Sequence, residues 1–156
     1  MSFCSGGMCE SLAAAASGDW AGVALLLGEG RALLAAGSGS DIPIADESVP
    51  KILERWSALD KPGAKLATPD AKPLDRLLEV AGSRVRSDLF DIGLAQYVLS
   101  PGVGSSDFDP LVFQRLGRKV MTDKEAGIVN GALPAQQEMG AADRWLAERA
   151  DRKSVV

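Results

Sequence analysis

Ser48-Val49-Pro50-Lys51 spells Ser-x-x-Lys, in which a lysine one helical turn away could take the proton of a serine nucleophile. Neither Lys-Thr-Gly nor Ser-Asp-Asn accompanies it, and the sequence predicts Ser48 as a helix cap with Lys51 in solvent. Two acidic pairs, Asp88 with Asp91 and Asp107 with Asp109, have the chemistry to share acid and base roles or to bind a hard cation. Both stand beside expected helix starts, where a carboxylate complements the dipole and caps free N–H groups, and that is the role predicted for them. The chain contains no histidine, which removes the commonest general base near neutral pH and excludes Ser-His-Asp and Cys-His sites. Cys4 and Cys9 alone cannot complete a four-ligand zinc site. Gly28-Glu29-Gly30 and Gly37 to Ser40 lack the lysine of a phosphate-binding loop. The expectation is a protein that is not an enzyme, with no metal and no cofactor.

Residues suited to contact are easier to name. Arg115, Arg118 and Lys119 recur at i, i+3 and i+4, which on a helix starting at Asp109 places three positive charges opposite Leu111, Val112 and Leu116. Such a face either grips an acidic partner or phosphate, or is solvated and suits a helix C-terminus. Trp20 follows a turn and is the tryptophan expected to be an exposed contact, whereas Trp56 lies on an apolar stripe and belongs to a core. Trp145 could serve either way. The terminal Lys153-Ser154-Val155-Val156 fits a carboxylate peptide that adds a strand to a groove. Trp20, Arg115, Arg118 and Lys119 are therefore the expected partner-binding residues.

The elements that must hold these residues read as helices. Alanine and leucine carry much of the apolar content, aromatic residues make up 5%, and no stretch shows sustained period-two alternation, so no sheet is expected. Cys9 to Ser17 and Trp20 to Leu27 form two helices turned at Gly18-Asp19 and closed at Gly28-Glu29-Gly30, with Leu26 buried. A flexible loop at Gly37 to Ser40 and an extended Asp41 to Ile44 lead to a helix with Pro50 in its first turn and an apolar stripe of Ile52, Leu53, Trp56 and Leu59. Lys61-Pro62-Gly63 stops it, and Ala64 to Lys72 is a second loop. Leu74, Leu77, Leu78 and Ala81 mark another helix; Leu89 to Leu99 a further one, buried along Leu94, Ala95, Tyr97 and Val98. Asp109-Pro110 starts the next, Thr122 to Glu125 matches a capping box, and Ala141 to Asp151 is the last. The fold class expected is all-α, a single helical domain over 1–156.

Leu12 to Gly30 resembles one ankyrin repeat, with small Ala14-Ala15 in the first helix, Gly18 at the turn, Val23 and Leu25-Leu26-Leu27 in the second helix and Gly30 closing it. Pro73-Leu74-Asp75 is similar to a degraded opening of that motif, Leu94 to Gly102 to its second helix and closing glycine, and Trp145 to Asp151 to another second helix. The spacings, 72 positions from Leu27 to Leu99 and 47 from Leu99 to Leu146, exceed the roughly 33 of the repeat. An irregular helical bundle is the alternative. The resemblance implies stacked antiparallel helix pairs whose loop tips and concave face bind proteins.

A net charge of −4 argues against a nucleic-acid partner. No basic n-region precedes the first apolar run and no run reaches roughly 20 apolar residues, so neither a secretory signal nor a membrane span is expected. Two clustered cysteines suggest a reducing, cytoplasmic location. The function expected is a non-catalytic protein-binding module acting as an adaptor, inhibitor or regulatory subunit. The alternative is a structural subunit of a larger assembly, such as a virus particle or secretion machine.

Overall fold

Gly28-Glu29-Gly30 turns a β-hairpin rather than closing a helix pair. Strand β1 (Ala21–Leu27) reverses through a turn in which the Gly28 N–H donates to the Arg31 carbonyl at 3.0 Å, with Gly30 at φ 68°, and returns as β2 (Arg31–Gly37). The register runs from Gly22 opposite Gly37 to Leu27 opposite Ala32. The structure, a computed structural model, describes residues 20–37, 42–102, 108–128 and 139–151. After the hairpin come β3 (Ile44–Ser48), α1 (Val49–Leu59), β4 (Lys65–Thr68), α2 (Lys72–Val80), β5 (Asp88–Asp91), α3 (Ile92–Leu99), α4 (Phe108–Leu116) and α5 (Met139–Asp151). The strands form one mixed sheet in the order β3-β2-β1-β4-β5, with β1, β2 and β3 a meander and β4 and β5 parallel to β1.

This α/β architecture overturns the all-α expectation, in both its ankyrin-like and bundle forms. The reason lies in which faces of β1 and β2 are covered. Ala21, Val23, Ala32, Leu34 and Ala36 point to one side and pack with Ile52, Trp56 and Leu59 of α1, Leu66 of β4 and Leu74, Leu77 and Leu78 of α2. Ala24, Leu26, Leu33 and Ala35 point to the other and pack with Ala142, Leu146 and Ala150 of α5 and with Ala126 and Ile128. Side chains do alternate from face to face, but both faces are apolar, so the alternation leaves no polar trace in the sequence. Burial on two sides then overrides the helical propensity of alanine and leucine. Leu26 is buried as expected, but on a strand. Leu12 to Asp19, Cys4, Cys9, Asp107 and Lys153 to Val156 lie outside the described residues.

The helices α1, α2, α4 and α5 stand where the sequence places helices, each within a few residues. Pro50 sits in the first turn of α1, and Ile52, Trp56 and Leu59 are buried along it. Two carboxylates tie these layers together. Glu47 of β3 receives both Nε and, at 2.7 Å, Nη2 of the buried Arg55, and this hydrogen bonding holds the Glu47 carboxyl below its usual range. Asp60, buried just past α1, accepts from the backbone N–H groups of Arg86 at 2.9 Å and Ser87 at 2.7 Å, which fixes the approach to β5.

Helix α5 lies close against the hairpin because nothing projects from Gly22. A Cβ there would collide with the backbone carbonyl of Ala150. On the same helix, Asp143 Oδ1 is buried and finds no hydrogen-bond donor among the described residues. Burial, and then the Asp46 carboxylate of β3, push the Asp143 carboxyl above its ordinary value, while Arg31 of β2 works the other way.

Gly22→Ala should therefore destabilise the fold by about 1–3 kcal/mol, since backbone rather than a flexible side chain must yield. Urea denaturation followed by tryptophan fluorescence measures this, and an unchanged midpoint would show that α5 sits elsewhere. For Asp143 the sign is set by its raised folded pKa: the folded chain holds the proton more tightly than the unfolded chain, so this residue adds stability as pH falls toward its unfolded value of about 3.9. Asp143→Asn should be more stable than wild type near neutral pH, with the advantage shrinking as the medium is acidified. A difference that does not vary with pH would contradict this placement.

Candidate functional site

In open sheets with parallel strands, ligands collect beyond the carboxyl ends of the strands, where neighbouring connections lead away in opposite directions. Here that place is the junction of β1 and β4, since the chain leaves β1 for β2 on one side and the parallel β4 lies on the other. A cleft of about 900 Å³ opens there. Its base is Ala24 to Leu26 of β1 and the Thr68-Pro69-Asp70 turn that follows β4. One wall is Trp145, Leu146 and Arg149 of α5, and the other is formed by Leu94 and Tyr97 of α3 with Phe108 to Pro110 of α4. The gap exists because α5 covers only part of the sheet face. The adjoining part is covered by a separate cluster of Ala67 from β4, Ile92 from α3, Leu111 and Val112 from α4, and Val120.

Arg149 organises this cleft. Its guanidinium lies 3.8 Å from the centre of the Trp145 ring and 5.4 Å from that of Phe108. One amino group donates to Asp109 Oδ1 at 2.6 Å and approaches Asp123 Oδ1 at 3.5 Å; the other donates to the Met121 carbonyl at 3.2 Å. Trp145 Nε1 donates to the same Asp123 oxygen at 2.9 Å. Burial pushes the Arg149 guanidinium below its ordinary value, against Asp109, Asp123 and Glu148, which hold it up. One side chain thus joins α5, the start of α4 and the turn after Met121.

The remaining carboxylates of the cleft are also committed. Asp91 caps α3 by accepting the Leu94 N–H at 2.9 Å and also accepts the Ala71 N–H at 2.9 Å, while Asp70 accepts the Lys72 N–H at 3.0 Å. The capping expected at Asp91 is met. No group of three or more acidic, cysteine or histidine side chains that could hold a metal ion occurs among the described residues. Nor does the cleft lining include a serine or cysteine nucleophile.

The expected contact residues do not meet in one place. Trp20 is partly exposed just before β1 and packs edge-on against Phe90 of β5, ring centres 5.9 Å apart. Helix α4 ends at Leu116, and Gly117 follows at φ 64°, so Arg118 and Lys119 lie in the link beyond the helix rather than on one helical face with Arg115. Arg115 reaches back to Gln96 of α3, Nη2 to Oε1 at 3.4 Å. Thr122 and Glu125 do make the reciprocal hydrogen bonds of a capping box, at 2.8 and 3.3 Å, around a single turn.

Helix α3 corrects the sequence reading most. Ile92 and Gln96 are its buried residues, and the face expected inside points out: Leu94, Tyr97 and Val98 are 62%, 63% and 69% exposed. Leu99, Phe113 and Leu116 add to the exposed apolar surface of the touching helices α3 and α4. An apolar stripe at i, i+3 and i+4 shows that a helix has a greasy side but not which way it faces; only the polar Gln96, out of step with that stripe, hinted at the inversion.

Arg149→Ala should cost about 2–3 kcal/mol, at or below the low end for a broken buried ion pair because Asp109 and Asp123 keep some access to water. Arg149→Lys should recover less than half of that, since an ammonium keeps the charge but lacks the planar fork and the ring stacking. Chemical denaturation of both variants measures this, and full recovery by lysine would reduce Arg149 to a point charge.

The sequence matches no model of a known protein family, and no curated protein shows significant similarity to it. No helix among the described residues is long and apolar enough to cross a membrane.

Proposed function

We propose that this chain is a non-catalytic protein-binding module of the cytoplasm, working through the exposed apolar face of α3 and α4. The observation that carries this reading is the outward Leu94-Tyr97-Val98 stripe, joined by Leu99, Phe113 and Leu116 and continuous through Leu94 and Tyr97 with the mouth of the cleft. Apolar side chains clustered in this way are a feature of surfaces that are covered in use, whereas single exposed ones need no explanation. A tyrosine in such a patch supplies large contact area at low entropic cost. Arg115, which reaches Gln96 of α3, adds a cation beside the helix that carries the patch. The absence of histidine and the commitment of the cleft carboxylates to backbone and to Arg149 support the non-catalytic half of the reading.

The test is capture from native cell extract by wild type and by a Leu94→Glu, Val98→Glu double variant. Both substituted positions are exposed, so circular dichroism and melting temperature should be unchanged while the captured partner is lost. Equal capture by the two proteins would remove the face from the function, and turnover of a small substrate by the purified chain would overturn the binding reading itself.

A further inference from the structure

We infer that a second copy of this chain covers the α3–α4 face, with the two α3 helices antiparallel across a two-fold axis; the inference rests on the reading of that face as a binding surface and names its occupant. Area carries the argument. Leu94, Tyr97, Val98 and Leu99 are 62%, 63%, 69% and 65% exposed, and Phe113 and Leu116 of the touching helix are 56% and 39% exposed. Taken against the full size of these residues, the face presents about 700 Å², more than the roughly 300–600 Å² of the largest apolar patch on an ordinary monomer. Two such faces together would bury about 1,400 Å², inside the roughly 1,200–2,000 Å² of a stable protein contact.

The make-up of the face favours a like partner. Helix α3 carries no charge, and its one amide, Gln96, is turned inward. Transient contacts are about as polar as the rest of a protein's surface, whereas contacts between identical chains are more apolar. A two-fold contact sets the patch against itself, so surroundings of one sign would repel their own copy. Here both signs are present: the cleft that Leu94 and Tyr97 help to line holds four aspartates together with Lys72, Lys124 and Arg149, and Arg115 reaches Gln96 from α4. Those aspartates also accept hydrogen bonds within their own chain, as Asp91 does from the Leu94 N–H and Asp109 from Arg149. With the two α3 helices antiparallel, Leu94 of one copy stands against Val98 of the other, and the two copies of Tyr97 lie near the axis.

Sedimentation equilibrium of the whole chain tests this, with reductant present so that Cys4 and Cys9 cannot cross-link copies. Contacts of this area hold with micromolar dissociation constants or tighter, so at about 100 μM the wild type should sediment at twice 16.3 kDa. Leu94→Glu and Val98→Lys, both at exposed positions, should each leave circular dichroism unchanged and give monomers at that concentration, because each buries a charge against an apolar side chain. An equimolar mixture of the two variants should regain the dimer, since the antiparallel pairing sets the introduced carboxylate against the introduced ammonium and keeps one apolar pair intact. A monomeric wild type, a dimer that either single variant leaves intact, or a mixture that stays monomeric would each overturn the inference. Its failure is separable from that of the binding reading: a monomeric wild type that still captures an extract partner, lost on Leu94→Glu with Val98→Glu, leaves the surface standing and refutes the second copy as its occupant.

Discussion

The burial of β1 and β2 on both faces is the constraint from which the rest follows. A hairpin of AGVALLL and RALLAAG has no polar side to offer water, so each face must be covered by another layer. One layer is α1 and α2, which meet Ala21, Val23 and Leu34; the other is α5, which meets Ala24, Leu26 and Leu33. The small residues of the strands let that second layer approach closely, most of all at Gly22, where the Ala150 carbonyl occupies the space of an absent side chain. Because α5 is committed to the hairpin, β4 needs separate cover. That cover comes from α3 and α4, and the cleft is the seam between the two.

Arg149 is what keeps that seam at fixed width. An α5 held only by Ala142, Leu146 and Ala150 could slide along a smooth sheet, because small apolar contacts carry little directional information. The fork from Arg149 to Asp109 and Met121, backed by Trp145 on Asp123, fixes its position relative to α4 and the following turn. Those polar groups do structural work at the one place where the topology would favour a ligand.

How much was legible follows from what each residue's neighbours demand. Helices with one wet face announced themselves: the Ile52, Trp56, Leu59 stripe, the Leu74, Leu77, Leu78 stripe and the Asp91 cap could be read from local rules. The hairpin could not, because two buried faces erase the period-two signal and its alanines and leucines favour helices. Strands β4 and β5, of four residues each, were too short to carry a pattern of their own. In the candidate site, the pairing of Arg149 with Asp109 spans 40 positions and depends on α5 crossing the sheet, so no spacing rule reaches it.

Helix α3 is where local and global preferences part most sharply. A helix buried by its own chain would turn Leu94, Tyr97 and Val98 inward and leave Gln96 to water; instead Gln96 is inside, held by Arg115, and the apolar stripe is outside. Exposed apolar surface forfeits about 25 cal/mol for every square ångström left in water, so three large side chains facing out are a standing cost to the isolated chain. Rotating the helix to bury them would remove Ile92 from the cluster with Ala67, Leu111 and Val112, and would pull Asp91 away from the Leu94 and Ala71 N–H groups it caps. The orientation of α3 is therefore set at its first turn by β5 and by Asp91. Its outer face, with Leu94, Tyr97 and Val98, is left exposed as the consequence.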